Sequence, residues 1–266
     1  MPEFPCSGPI TVTARLGGGS IEVVAEDRPD ATVEVLPYDD SDSSREAAAN
    51  TRVEMHDGRL RIEAPETGGF VFRRSPRVRV EARVPIDSTL EVKVASASLS
   101  AHGRFASAAV KSASGDVYVD HVTGDATIST ASGDVRAVRV DGALRVNAAS
   151  GDVNAHSVTG SVTAHAASGD VEIDLAGGSV QARTASGRVR VGSARRGAVK
   201  VSSASGDVAV GVEPGTGVWL DLTTISGSTR SDLSTSQAPA GGEPALAIQV
   251  RTMSGDIDVH RVRTAA

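Results

Sequence analysis

One tetrapeptide recurs along this chain at a fixed spacing and limits the possible folds more than any other feature. Ser-Gly-Asp-Val begins at Ser114, Ser132, Ser150 and Ser168, and Ser-Gly-Arg-Val begins at Ser186, so each copy starts 18 residues after the last. A further glycine lies midway between successive copies, so the underlying unit is nine residues long. A short fixed period is typical of repeat architectures. The glycines of both positions are expected to form turns: Gly115, Gly124, Gly133, Gly142, Gly151, Gly160, Gly169, Gly178 and Gly187.

Between the turns, apolar and polar residues alternate, which predicts half-buried strands. Strands this short cannot bury an apolar face alone, so two units are expected to form one 18-residue coil that stacks on the next at about 4.8 Å. The sequence therefore predicts an all-β fold, a parallel β-solenoid, with a thin core that has little room for aromatic side chains. The predicted inner columns are Val117, Val135, Val153, Val171 and Val189 on one wall, and Ala126, Leu144, Val162, Val180 and, after a one-residue insertion, Val199 on the other.

The regular repeat occupies only part of the chain. Residues 1–92 are β-rich but less regular, with a hairpin turn at Asp57-Gly58 and a short helix near 44–50, and are expected to cap the first coil. The solenoid is expected over 93–266 and includes a loop insertion near 235–244. Trp219 has two interpretations: it covers the inner columns near the carboxyl end, or it belongs to a ligand-binding surface.

Composition excludes several classes of protein. A formal net charge of −6 argues against a nucleic-acid surface. The single cysteine, Cys6, excludes an intrachain disulfide framework. No signal-peptide pattern and no long apolar segment is found, so the sequence predicts a cytoplasmic protein without membrane insertion.

The repeated aspartates are the first candidate for a binding site. Asp116, Asp134, Asp152 and Asp170 should stack in a row about 4.8 Å apart, and such a row can attract calcium. However, the Gly-Gly-x-Gly turn of calcium-binding β-rolls is missing, and Arg188 interrupts the row. The alternative is that these carboxylates are solvated and hydrogen-bond to the backbone of the turns. We expect the second arrangement and therefore no cofactor and no metal.

Catalysis is not indicated by the sequence. Carbohydrate-active β-helix proteins need clustered carboxylates and aromatic sugar platforms, and aromatic residues make up only 3% of this chain. We therefore expect a protein without enzymatic activity. A carbohydrate-binding or carbohydrate-active protein and a calcium-stabilised adhesin remain as alternatives.

The repeats, together with both ends of the chain, resemble a known family. Ser-Gly-Asp-Val on nine-residue spacing, Pro9-Ile10-Thr11-Val12 near the start and Ser254-Gly255-Asp256-Ile257 near the end are similar to bacterial β-strand-repeat proteins of the adhesin-like or toast-rack type, in their actinobacterial form. The resemblance implies a right-handed β-solenoid and brings no catalytic residues. It also implies a scaffold role in connection with envelope-stress systems. Because flat faces and open coil ends can accept a further strand, we expect the protein to bind a partner protein or its own copies.

Overall fold

The structure, a computed structural model, describes residues 2–65, 77–233 and 245–262. Its contacts divide the chain into two compact units, Met1–Arg136 and Ala137–Ala266, and the strand β10 (Val135–Val140) crosses the division. The first unit contains β1 (Glu3–Pro5), β2 (Thr11–Glu26), β3 (Asp30–Pro37), the helix α1 (Asp42–Asn50), β4 (Arg52–His56), β5 (Arg59–Glu63), β6 (Val78–Pro85), β7 (Ser88–Ser112), β8 (Val117–Val122) and β9 (Ala126–Thr130).

The second unit consists of short parallel strands. They are β11 (Leu144–Ser150), β12 (Val153–Val158), β13 (Val162–Ser168), β14 (Val171–Ala176), β15 (Val180–Ser186), β16 (Val189–Ala194), β17 (Gly197–Ser205), β18 (Val208–Val212), β19 (Val218–Ser226), β20 (Thr229–Ser231), β21 (Leu246–Ser254) and β22 (Ile257–Arg261). Each strand pairs with the strand two places along the chain through most of this unit, as expected of two-walled coils. The predicted parallel β-solenoid is confirmed.

The predicted inner columns of the second unit are also confirmed. Val162 lies in register with Val180, and Val180 with Val199, so the extra residue before Val199 is absorbed without breaking the column. On the other wall, Val153, Val171 and Val189 stack in the same way. These valines are buried, because side chains at equivalent positions face the same narrow interior.

In the first unit, an early strand lies between later ones. β2 pairs in parallel with β5 and β6 along one edge and with β7 along the other, so that Val12 lies between Leu60 and Leu90. The 18-residue period continues from here, since Leu99 is in register with Val117. The core is less restricted than expected, because Phe105 is fully buried opposite Val122. Its column accepts a ring where the expected thin core had little room for one.

Irregular elements cover the beginning of the first unit. β3 pairs antiparallel with β1 and β6, and α1 packs against β3 and β6. The Ser41 side chain begins the helix by accepting a hydrogen bond from the Ser44 amide. The predicted hairpin joins β4 and β5 through Asp57 and Gly58, both at positive φ. β7 runs through position 92, and the division of the chain at 92 and 93 stays a prediction.

Near the carboxyl end, the order of the coils in space departs from their order in the chain. β21 pairs in parallel with β17 along one edge and with β19 along the other, so Val250 lies between Val201 and Leu222. β22 likewise lies between β18 and β20. The coil of β21 and β22 is therefore inserted between the coil of β17 and β18 and the coil of β19 and β20. The loop expected near 235–244 lies outside the described residues.

Candidate functional site

The aspartates of the repeat link one coil to the next. The Asp116 carboxylate accepts a hydrogen bond of 3.0 Å from the Asp134 amide in the first unit. In the second unit, Asp152 accepts one of 2.8 Å from the Asp170 amide, and Asp170 accepts one of 2.7 Å from the Arg188 amide. Each carboxylate thus satisfies a turn amide that the strand ladder leaves over. This ladder gives the Ser-Gly-Asp motif a structural role.

The same ladder bears on the calcium alternative. In the Asp116, Asp152 and Asp170 side chains, one carboxylate oxygen already accepts a hydrogen bond from a backbone amide of the next coil. No group of three or more His, Cys, Asp or Glu side chains suited to a metal ion is found among the described residues. The calcium-stabilised adhesin therefore stays a hypothesis with no site geometry to support it.

At the carboxyl end the ladder follows the order in space. Asp207 accepts a hydrogen bond from the Asp256 amide, and Asp256 accepts hydrogen bonds from the amide and the hydroxyl of Ser228. These two hydrogen bonds from Ser228, first the amide and then the hydroxyl, lower the pKa of the Asp256 carboxyl. The ionised form of Asp256 therefore joins the coil of β21 and β22 to the coil of β19 and β20.

This lowered pKa predicts a loss of stability in acid. A carboxyl group whose pKa is lower in the folded state contributes stability above its unfolded pKa of about 3.9, and this contribution disappears as the pH falls through the folded value. We expect the melting temperature of the wild type to exceed that of Asp256→Asn at pH 6, with the gap closing towards pH 2. Thermal melts monitored by circular dichroism measure the gap. An equal gap at both pH values would contradict the proposed bond.

Among the described strands, the coil of β19 and β20 has one edge to which no strand is paired. On the side of β19 away from β21, none of the described strands pairs with it. Leu246, Ile248 and Val250 on β21 are fully buried, whereas Leu220 and Leu222 on β19 are only half-buried. Within the part of the chain that the structure describes, the apolar interior thus ends at this coil, with Leu220 and Leu222 partly exposed. We call β19 and β20 the open coil.

Large apolar side chains gather at the open coil. On β19, Trp219 is 51% exposed and Ile225 is 78% exposed, and on the neighbouring β21 Met253 is 60% exposed. Trp219 is in register with Ala247 on the outer face of the sheet, so it does not cover the inner columns. The second interpretation of Trp219, a surface residue available for binding, agrees with this position.

The exposed Ile225 and Met253 were missed as candidate residues, although the sequence carries a signal for them. The residue directly before Ser-Gly is alanine in the regular copies, such as Ala149, Ala167 and Ala185. All three alanines face solvent, so this position is an outer column. Isoleucine and methionine replace alanine at the two copies that form the carboxyl end of the stack. A departure from the repeat at an outward position is the pattern that identifies them.

A groove lies where one extra residue interrupts the repeat. This groove of about 490 Å³ is lined by residues that include Leu175, Arg195, Arg196 and Glu213, all in the second unit. The Arg196 Nε donates to the Gly177 carbonyl at 2.8 Å, which fixes the turn that carries the inserted residue. Leu175 is 47% exposed at this groove and lies away from the open coil.

Helices contribute little to this protein. In the parts of the chain that the structure describes, no helix has the length and apolar character needed to cross a lipid bilayer.

Comparison with known proteins gives a family and a fold. The sequence model of the family described as Toastrack DUF4097 matches residues 20–260. No curated protein matches the chain.

Two solved structures are similar to this chain. The chain is similar to a "putative lipid binding protein" from Parabacteroides distasonis, with 13% identity, a TM-score of 0.53 and coverage of 98% of this chain and 96% of that one. It is also similar to a "putative adhesin" from Bacteroides fragilis, with 10% identity, a TM-score of 0.45 and coverage of 98% and 95%. At these identities the likeness concerns the fold alone.

Proposed function

Because this chain belongs to the Toastrack DUF4097 family, we propose that it is a non-enzymatic interaction protein that associates with a second copy of itself through the open coil. The observation that carries the proposal is the open edge of β19, which exposes Trp219 and Ile225 beside backbone groups without a described partner strand. An exposed sheet edge is a template for strand addition, in which main-chain hydrogen bonds supply affinity and side chains supply specificity.

The sequence of β19 is suited to pairing with itself. Two copies related by a twofold axis present the same surface to each other, so their edge strands run antiparallel. An axis at Leu222, the middle of the strand Val218–Ser226, places Trp219 of one copy opposite Ile225 of the other. The same axis repeats this pair on the other side. Both exposed apolar residues of β19 are thereby covered on one outer face, and such cross-strand pairs stabilise an antiparallel sheet.

A charge placed at this pair should separate the two copies. We expect the wild type to form a dimer whose dissociation constant rises at least tenfold in Ile225→Lys, because an ammonium group would lie against an indole that the dimer removes from water. Sedimentation equilibrium over a range of concentrations measures the change. Leu175→Lys is the matched control, since Leu175 is also an exposed apolar residue and lies away from the open coil. A wild type that stays monomeric at high concentration, or equal weakening by the control, would overturn the proposal.

The register of the dimer can be tested with single cysteines in a Cys6→Ser background. With the axis at Leu222, Leu222→Cys places two thiols opposite each other, and we expect a disulfide-linked dimer under mild oxidation. Val218→Cys should remain uncrosslinked. In this register residue 218 of each copy lies opposite Ser226 of the other copy, so the two thiols are far apart. Crosslinking of Val218→Cys in preference to Leu222→Cys would rule out this register.

A further inference from the structure

A cluster of cationic side chains lies on the outer face of the second unit, on strands that adjoin the open coil. It surrounds a cavity of about 130 Å³ on the sheet formed by β15, β17 and β21. The polar residues that line the cavity are Gln181, Arg183, Lys200, Ser202, Gln249 and Arg251.

The strand register arranges these six side chains as a grid. Arg183, Ser202 and Arg251 lie in register on three adjacent strands and form one row. Gln181, Lys200 and Gln249 form a second row, two residues earlier on the same strands. Residues two apart on a strand share a face, and neighbouring strands are about 4.8 Å apart. Ser202 therefore lies between Arg183 and Arg251 in its row, with Lys200 next to it on the same strand and face.

The charge of this grid is unlike that of the whole chain. The sequence has a net charge of −6, yet the described lining of the cavity includes two arginines and a lysine and no carboxylate. Its neutral members, the serine and the two glutamines, can all donate hydrogen bonds. Arg183 and Arg251 lie two strands apart, about 9.6 Å at the backbone, where two unit charges repel by roughly 0.4 kcal/mol in water, and a bound anion would relieve that repulsion.

One acidic residue holds the edge of the grid in place. Asp221, on the neighbouring strand β19, accepts a hydrogen bond of 2.8 Å from the side-chain amide of Gln249. Its carboxylate also lies 3.8 Å from the Arg251 guanidinium. It orients these two side chains from outside the cavity, and it also competes for their charge and hydrogen bonds.

We propose that this cavity, the grid site, binds a tetrahedral oxyanion, that is, phosphate or sulfate, either free or as a monoester. Arginine presents paired N–H donors that match two oxygens of such an anion, and the geometry places one arginine on each side of Ser202. The hydroxyl of Ser202 and the ammonium group of Lys200 supply further hydrogen-bond donors to the same anion. The residues that line the grid site lie on β15, β17 and β21 and none belongs to the open coil, so anion binding can be measured whether or not the dimer forms.

The test is isothermal titration of the full chain at low ionic strength with inorganic phosphate, inorganic sulfate and glucose 6-phosphate. We expect saturable binding of at least one of these anions, and the preferred anion distinguishes a free ion from an ester. Arg183→Gln and Arg251→Gln should each weaken binding about tenfold, and Asp221→Asn should strengthen it because a competing carboxylate is removed.

Arg145→Gln is the matched control. Arg145 lies on β11 of the same wall, two strands from Gln181 and outside the cavity, and its substitution removes the same single charge. Binding should be unchanged in this variant. Absence of saturable binding for all three anions, or equal weakening by Arg145→Gln and Arg183→Gln, would overturn the grid site. Circular dichroism confirms that each variant is folded before titration.

Discussion

A chain that ends after Ser231 is expected to lose the cooperative unfolding of its second unit and to aggregate. The missing strands β21 and β22 carry Leu246, Ile248, Val250, Ile257 and Val259, which are all buried. Burying an apolar side chain of this size contributes about 1.5–3 kcal/mol, so the five together approach the whole stability of a typical domain, about 5–15 kcal/mol. The truncated chain also leaves β19 and β20 without the neighbours on which they lie.

A shorter chain is the informative control. Ending at Val212 removes β19 and β20 together with β21 and β22, so every remaining coil keeps its neighbour on the preceding side. We expect this shorter protein to be more soluble than the longer one and to unfold in a single transition, as measured by circular dichroism and scanning calorimetry. If the longer chain melts like the full protein, the inserted position of β21 is wrong.

Cysteine pairs test that position directly, in a Cys6→Ser background. Ala198 lies in register with Ala247, and Ala247 with Trp219, so Ala198 and Trp219 are two strands apart. Two strand spacings are about 9.6 Å, beyond the reach of a disulfide. Ala198→Cys should therefore crosslink with Ala247→Cys and fail to crosslink with Trp219→Cys. The reverse result would mean that the coils stack in chain order.

Gly169→Ala is expected to destabilise the second unit strongly. Gly169 has a φ of 125°, and a β carbon there would overlap the Gly151 carbonyl, with only 2.8 Å to the carbonyl carbon. Because the obstacle is backbone in the adjacent coil, both coils would have to shift, at a cost of about 3 kcal/mol. For a unit of this size that is a fall in melting temperature of roughly 10 °C.

Gly17→Ala is the control for this turn substitution. A β carbon at Gly17 has no atom within 4 Å, and alanine there should leave the melting temperature within about 1–2 °C of the wild type. Equal effects of the two substitutions would show that the close approach of coils does not select glycine at position 169. The assignment of the other repeat glycines to turns rests on the same argument and stays a prediction.

The sequence was sufficient to predict the walls of the solenoid but not the order of its coils. Alternation fixes which face of a strand is buried, and the 18-residue period fixes the register, which is why Val171 falls on Val153. The copies that begin at Ser205, Ser226 and Ser254 all contain Ser-Gly, but their spacing is irregular and does not show which copy stacks on which. Their order depends on how the whole stack is best covered, and that is a property of the assembled fold.

Of the candidate sites, too, one could be predicted from the sequence and one could not. The aspartate row was visible in the sequence because its members recur at equal spacing. The grid site was not visible, since Arg183, Ser202 and Arg251 are separated by 19 and 49 residues and meet only because β21 inserts beside β17. A site assembled from coils that are out of order has no spacing in the sequence that would reveal it.

The inserted coil has a consequence for forced unfolding. A molecular motor that pulls from the carboxyl-terminal side of β22 cannot peel away an outermost strand, because β22 is held along both edges by β18 and β20. It must draw a strand out from between two others, which loads both ladders at once. Processive unfoldases should therefore stall at their first grip on this protein, whereas a pull applied within β19 would meet a single ladder.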